Sequence, residues 1–511
     1  MQVDLQSEAI AFLTDPSTHG LGAGKVEVIE THISVVVLAG ERAYKLKRAV
    51  KLPYVDFSTV ALRLALCERE AELNRRAVPD LYLGVRRITR AADGHLVFDG
   101  DGPLVDAVVE MARFDQNGLF DRLAFRGRLT PALLSELAVA VARLHEAASV
   151  DLAGSGAENI AGVLAINEQA LAGVTLFRAD VAERFNRAFR DALEQAAPLL
   201  DRRQRLGKVR HCHGDLHLRN ICLFEDRPAL FDCLEFNDAM ATVDVLYDLA
   251  FLLMDLWHRD LKPGANLVLN RYLDVLDETD GLVLVPMLMA IRAAVRAHVS
   301  ATKAEEPTEA ANAETLRNEA VSYFDLARAL LRPVPPRLVV IGGFSGVGKS
   351  SVAAAIAEAV GPPPGARVLN SDRIRKRKNG VAPGARLPAS AYRSEVLQAV
   401  YDTLGREAEY LLALGHGVVL DATFNRPNER SRVEEMAAAV GVPFTGIWLE
   451  LEPDTLIARL ERRGEDPSDA TADVVRDQIA RFRGPMPWTT VSAEGSLDQV
   501  VGRVLALLGA D

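Results

Sequence analysis

Over its first hundred or so residues the chain sets apolar and β-branched residues into short runs: VEVIE, ISVVVLA, RAYKLK, YLGVRRI, HLVFD and LVDAVVEMA. Runs of this length and composition read as strands. One helical segment, Ser58 to Arg76, interrupts them. From Thr130 onward the apolar spacing changes to three and four, as in LLSELAVAVARLHEAA and VAERFNRAFRDALEQAAPLL, which predicts amphipathic helices. A β-rich lobe over about residues 1–115 is therefore followed by a helical lobe over about 116–332. The stretch RPVPPR, Arg332 to Arg337, then ends the helical pattern, because adjacent prolines cannot continue a helix and stiffen a connector. Beyond it LVVIGG, RVLNSD, GVVLDATF and TGIWLEL alternate with helical segments, which predicts an α/β domain at 333–511 with a parallel sheet covered on both faces.

Composition fits this division. A chain of 511 residues exceeds one hydrophobic core, and 49% apolar with 25% charged residues excludes disorder and fibre. No unit of 20 to 50 residues repeats, which removes solenoids and propellers. The net charge of −11 argues against a general DNA-coating or anionic-membrane role. Apolar runs such as LAFLLMDLW and LVLVPMLMAI fall short of the roughly 20 residues that cross a bilayer. The opening MQVDLQSEAIAFL lacks a basic region and a cleavage pattern and predicts an amphipathic helix, so a cytoplasmic protein is expected. Four cysteines are too few for a disulfide scaffold. Cys212, Cys222 and Cys233 bracket several histidines, but their spacings match no common zinc pattern.

The sequence GFSGVGKS, Gly343 to Ser350, satisfies GxxxxGK[ST] at every fixed position, between an apolar strand and the helix SSVAAAIAEAV. Glycines let backbone N–H groups turn in around a phosphate, Lys349 supplies a cation for the terminal phosphates, and the Ser350 hydroxyl suits Mg²⁺. The expected nucleotide set is Gly343, Ser345, Gly346, Val347, Gly348, Lys349, Ser350 and Ser351. About 70 residues on, Asp421 ends the strand in GVVLDATF, where a carboxylate orders the Mg²⁺ shell. In NSDRIRKRKNG, Asp372 is read as ending a strand beside Arg373, Arg375, Lys376, Arg377 and Lys378, a candidate base next to a basic cluster that hints at an anionic acceptor. RLERRGEDPSDAT places Arg459, Arg462 and Arg463 before a polar loop, where arginines can close as a lid. Capping by Asp372 and surface ion pairing of the arginines are the plainer alternatives.

Together these residues resemble P-loop kinases of the gluconate kinase and shikimate kinase type, and also the zeta-toxin and polynucleotide 5′-kinase groups. The resemblance implies that Lys349 and Ser350 serve phosphate and Mg²⁺, Asp372 is the acceptor base, Arg375 anchors the acceptor, and Arg463 is the lid arginine.

In the helical lobe, HCHGDLHLRN sets Asp215 and Asn220 five residues apart, and ALFD brings Asp232 twelve residues later. That is the interval of a kinase catalytic loop, in which one carboxylate takes the acceptor's proton while an amide and a second carboxylate hold metal. A β lobe followed by a larger α lobe is also the outline of a protein-kinase-like fold, α+β and bilobal. HGDLHLRN resembles the loop of the aminoglycoside phosphotransferase and choline kinase branch. The resemblance extends to VDVLYDLAFLLMDL, where Asp244 and Asp248 match structural helical aspartates, and it assigns His213 and His217 to the loop rather than to zinc. RAYKLKR is the strand expected to bear the ATP-anchoring lysine. Lys45 and Lys47 share a face, so the residues alone do not choose between them; analogy with the kinase V-A-I-K strand favours Lys45, and the likeness of REA to the family's helix makes Glu70 its partner, with Glu68 and Glu72 nearby. No GxGxxG precedes that lysine; if Thr31 to Ser34 forms the turn over the phosphates, hydroxyls and backbone must replace the glycines.

The resulting expectation is a bifunctional phosphotransferase. Both domains would use ATP, with GTP as the alternative nucleotide, and Mg²⁺, to phosphorylate a hydroxyl of a small molecule such as a sugar, amino sugar or polyol. The alternatives are one active P-loop kinase controlled by a ligand-sensing N-terminal pseudokinase, or a kinase of nucleic-acid 5′-hydroxyl ends.

Overall fold

The computed structural model describes residues 2–509 except 23, 53–54, 307–309, 382–384, 386, 389–390, 392, 463–471 and 483–484. The chain forms two compact units, Met1–Arg259 with Ile291–Val321, and Asp260–Ala290 with Ser322–Asp511.

In the first unit the predicted strands form a six-stranded antiparallel sheet, ordered Val26–Glu30, Ser34–Ala39, Arg42–Lys47, Leu104–Ala112, Tyr82–Arg90, Leu96–Phe98. Alternation decides its two faces. Val35, Val37, Tyr44 and Leu46 pack against Ala9 and Leu13 of helix Gln2–Thr14, whereas Leu38, Ala43, Val109 and Met111 pack with Cys67 of helix Val60–Arg75. The helical lobe carries two short hairpin strands, Ile221–Phe224 and Arg227–Leu230, beside the catalytic-loop sequence. Its helix Val245–His258 has a nearly unbroken buried sequence, which fits an element at the centre of a lobe.

The second unit has a five-stranded, all-parallel sheet in the order Arg367–Asn370, Val418–Asp421, Leu338–Gly342, Phe444–Glu450, Thr489–Ser492. Leu338–Gly342 is buried at every residue, as expected of a strand with helices over both faces. The last strand, TTVS, lies outside the predicted set; four residues with three exposed leave little apolar signal.

Two expectations need correcting. The strand before Asp372 closes at Asn370; Asn370 caps helix Ser371–Lys378, and Asp372 lies in its first turn. One helical stretch, Thr279–Glu305, is also long and apolar enough to cross a membrane by length and composition, although runs of uncharged residues alone did not reveal it. Its apolar window is 67% buried, as in a core helix.

Candidate active sites

The candidate site of the first unit is organised around one carboxylate. Helix Val60–Arg75 is capped by Thr59 and buries Glu70 completely. Glu70 Oε1 accepts from Lys45 Nζ at 2.9 Å, and Oε2 from Lys47 Nζ at 2.6 Å. Each lysine has a second partner, Asp232 for Lys45 and Glu235 for Lys47. Burial works against the Lys45 ammonium, yet Asp232 and then Glu70 raise its pKa well above the ordinary lysine value. Burial likewise opposes the Glu70 carboxylate, but Lys45 and Lys47 bring its pKa down to about 2. The two lysines thus differ in setting: Lys45 reaches the partly exposed Asp232, while Lys47 is sealed at 1% exposure.

Asp215 and Asn220 meet directly. Asn220 Nδ2 donates to Asp215 Oδ2 at 2.9 Å and to its carbonyl at 3.0 Å. His217 Nε2 lies 3.4 Å from the same carboxylate oxygen. Burial raises the Asp215 pKa, but His217, then His213 and Arg292, outweigh it and hold the group below the usual carboxylate range. The His213 ring takes the Asp215 N–H on Nδ1 and faces the Phe231 carbonyl through Nε2 at 3.0 Å. That arrangement suits the neutral tautomer, and burial lowers the His213 pKa.

From beneath, helix Val245–His258 holds the loop backbone. Asp248 accepts from His213 N at 3.1 Å and Gly214 N at 2.9 Å, Asp255 accepts from Leu218 N at 3.0 Å, and Asp244 caps the helix itself. Buried charge of this kind persists only where hydrogen bonds satisfy it. Among the described residues one potential metal group is found, His145, Cys212 and Asp248, all buried. Asp248 is already committed there to two backbone N–H groups and to His145 at 3.1 Å.

The turn from Thr31 to Ser34 joins the first two strands as expected, but it closes on itself. Thr31 Oγ1 accepts from Ser34 N at 2.9 Å, and Thr31 N donates to Ser34 O at 2.8 Å.

In the second unit Gly343, Gly346 and Gly348 take φ of 141°, 85° and 105°, which admit glycine far more readily than any other residue. Lys349 Nζ folds back onto the Phe344 carbonyl at 2.9 Å, and burial lowers its pKa against the opposing pull of Asp421. Val347, placed in the nucleotide set by its motif position, sends its side chain into the core, so only its backbone faces the loop's concavity. Ser350 and Ser351 are exposed.

Asn370 ties the site together: its Nδ2 donates to Asp421 Oδ2 at 2.5 Å and to Ser350 Oγ at 3.3 Å. Asp372 accepts from Arg375 at 3.1 Å and faces Lys376 at 3.4 Å. The rest of the basic run is also engaged, Arg373 with Asp274, Arg377 with Glu407, and Lys378 with Thr403. Arg463 lies outside the described residues, as do the side chains of Arg459 and Arg462.

Sequence reading missed Glu235, Asn370 and Gln478. Glu235 follows Asp232 by three residues in FDCLE, and Asn370 precedes Asp372 by two, so both carried a positional signal. Gln478, whose Oε1 accepts from Ser345 N at 2.9 Å and whose Nε2 donates to Ser345 Oγ at 2.9 Å, carried none.

Residues 119–282 match the family model described as phosphotransferase enzyme family, and residues 338–485 match one described as an AAA domain. Uncharacterized proteins of Mycobacterium tuberculosis strain H37Rv and of Mycobacterium bovis are 30% identical over 496 residues, covering 94% of this chain and 94% of each relative. Among solved structures, a choline/ethanolamine kinase family protein from Mesorhizobium loti is 16% identical, covers 64% of this chain and 99% of its own, and has a TM-score of 0.37. A gluconokinase from Sinorhizobium meliloti 1021 is 23% identical, covers 35% of this chain and 94% of its own, and has a TM-score of 0.26.

Proposed function

Since the chain belongs to the family of these mycobacterial relatives and is a phosphotransferase with two kinase-like domains, we propose that both domains transfer the γ-phosphate of ATP to a hydroxyl of a small molecule. The observation that carries this reading is the Lys45 contact with both Glu70 and Asp232, beside the Asp215–Asn220 pair. It supports a phosphotransfer role for the first unit, which favours the bifunctional reading over a P-loop kinase alone.

In the first unit Lys45 would steady the α and β phosphates. Asn220 and Asp232 would hold Mg²⁺, which when bound neutralises the β and γ phosphates. Asp215 would orient the acceptor hydroxyl and take its proton. A carboxylate held below its usual range is a weak base, so its contribution is placement first and late proton acceptance second. In the P-loop unit Lys349 and the loop amides would cradle the phosphates. Ser350 and Asp421, spanned by Asn370, would hold Mg²⁺, and Asp372 with Arg375 would receive the acceptor.

The closed Thr31–Ser34 turn favours a second reading, in which the first unit grips nucleotide weakly and senses a ligand. The basic run after Asp372 lends little to a nucleic-acid acceptor, because carboxylates engage Arg373, Arg375, Lys376 and Arg377.

The test compares Asp215→Asn with Lys349→Ala in the full chain, following ATP consumption over a panel of hydroxylated metabolites. Two products, each abolished by one variant, are expected. A panel on which Asp215→Asn changes no product rejects catalysis by the first unit.

A further inference from the structure

Strand Arg367–Asn370 stands at the edge of the parallel sheet, with Val418–Asp421 on one side only. An open edge presents unpaired N–H and C=O groups. In the P-loop unit a helix from well upstream, Lys262–Val275, covers it with three polar residues four apart, Asn266, Asn270 and Asp274, which such spacing sets on one helix face. Asn266 Nδ2 donates to the carbonyls of Pro364 at 3.1 Å and Ala366 at 3.0 Å. Asn270 stands in for a neighbouring strand, donating to Ala366 O at 3.1 Å while its Oδ1 accepts from Val368 N at 2.8 Å.

Asp274 completes the row. Its Oδ1 accepts from Arg367 Nη2 at 2.8 Å, and its Oδ2 binds Arg373. Arg367 lies three residues before Asn370 and Arg373 three after it. One carboxylate, whose Oδ2 also accepts from Arg271 at 3.0 Å, therefore grips both flanks of the turn that carries Asp372 and presents Asn370 to Ser350 and Asp421. The Arg373 side chain is 39% exposed, and an ion pair in such a setting adds little to global stability. Its consequence is local geometry.

We propose that Asp274 is a positioning residue for phosphoryl transfer at the P-loop site, acting through Arg367 and Arg373 on the turn of Asn370 and Asp372. This rests on reading that unit as a kinase. It makes the upstream helix part of the P-loop enzyme's working structure.

The test uses the full chain carrying Lys45→Ala, which removes the phosphate-steadying cation of the first unit so that the P-loop site alone binds and turns over, with MgATP as the probe and water as acceptor. Asp274→Asn should lower kcat by about tenfold or more while affinity for a fluorescent ATP analogue stays within about twofold. Amides of residues 367–373 should exchange hydrogen at least about tenfold faster. Asp274→Glu should recover most of both effects, and Arg373→Ala should reproduce part of the loss. Unchanged exchange and turnover in Asp274→Asn overturn the proposal. So does an equal loss in the Asn and Glu variants accompanied by a lowered unfolding midpoint, the mark of a purely structural contact. Lys349→Ala is the separate control: turnover that survives it rejects the P-loop kinase reading, whereas the exchange measurement still reports whether Asp274 holds the turn.

Discussion

Lys45 and Lys47, two residues apart on one strand, are bound to opposite oxygens of the same buried carboxylate, Glu70, at 2.9 and 2.6 Å. Their second partners separate their roles. Lys45→Ala should abolish phosphotransfer by the first unit with a modest change in unfolding midpoint. Lys47→Ala leaves Glu70 and Glu235 buried without their shared ammonium, an arrangement that costs about 3–5 kcal/mol. Urea denaturation alongside turnover checks this; equal stability losses in the two variants would contradict it.

Asp215→Asn keeps a side chain of the same shape and so preserves room for the Asn220 contact. It should reduce first-unit turnover by roughly 10²–10⁴-fold, the range typical of a lost acid–base group. Product formation by the P-loop unit, followed by mass spectrometry in the same sample, should persist.

Gly343 has φ of 141°, and a Cβ built there would lie 2.7 Å from the Leu449 carbonyl. Gly343→Ala should therefore disturb the loop twice, through backbone strain and through collision with a neighbouring strand. Nucleotide binding at the P-loop site, read by titrating a fluorescent ATP analogue into the Lys45→Ala chain, should weaken by more than about tenfold. Unchanged affinity would refute the strain argument.

Acid should destabilise the protein in two stages. His416 is buried and its pKa is lowered from 6.5 to about 4 by burial, with Arg367 adding to the effect. The unfolded chain therefore binds more protons between these values, and stability falls as pH drops below 6.5. The full effect of this one group is on the order of 3 kcal/mol. Glu70, lowered from 4.5 to about 2, adds a second loss as pH falls from 4.5 toward 2. Denaturant titrations at stepped pH check both; His298, also lowered to about 4 by burial, and His213 add to the first stage, so His416→Gln should shrink the loss between 6.5 and 4 without removing it.

Local sequence carried a large share of the architecture and of both candidate sites. GFSGVGKS and the five-residue step from Asp215 to Asn220 keep their groups close along the chain, so spacing alone places them, whereas Asp421, about 70 residues beyond the P-loop, was legible only as the end of an apolar strand. Short β-branched runs and apolar spacings of three and four likewise predicted the strands of the first lobe and the long helices. The choice between Lys45 and Lys47 was different in kind. Both occupy the same face, and only the approach of Asp232 and Glu235, nearly 190 residues on, separates them. The edge of the parallel sheet is another such case. Asn266, Asn270 and Asp274 look like an ordinary polar helix face until the strand Arg367–Asn370 packs against them. Sequence sets which groups can ionise or hydrogen-bond and how local turns space them. Tertiary structure decides which distant groups share a dry environment, and there one carboxylate can fix two lysines or hold an active-site turn.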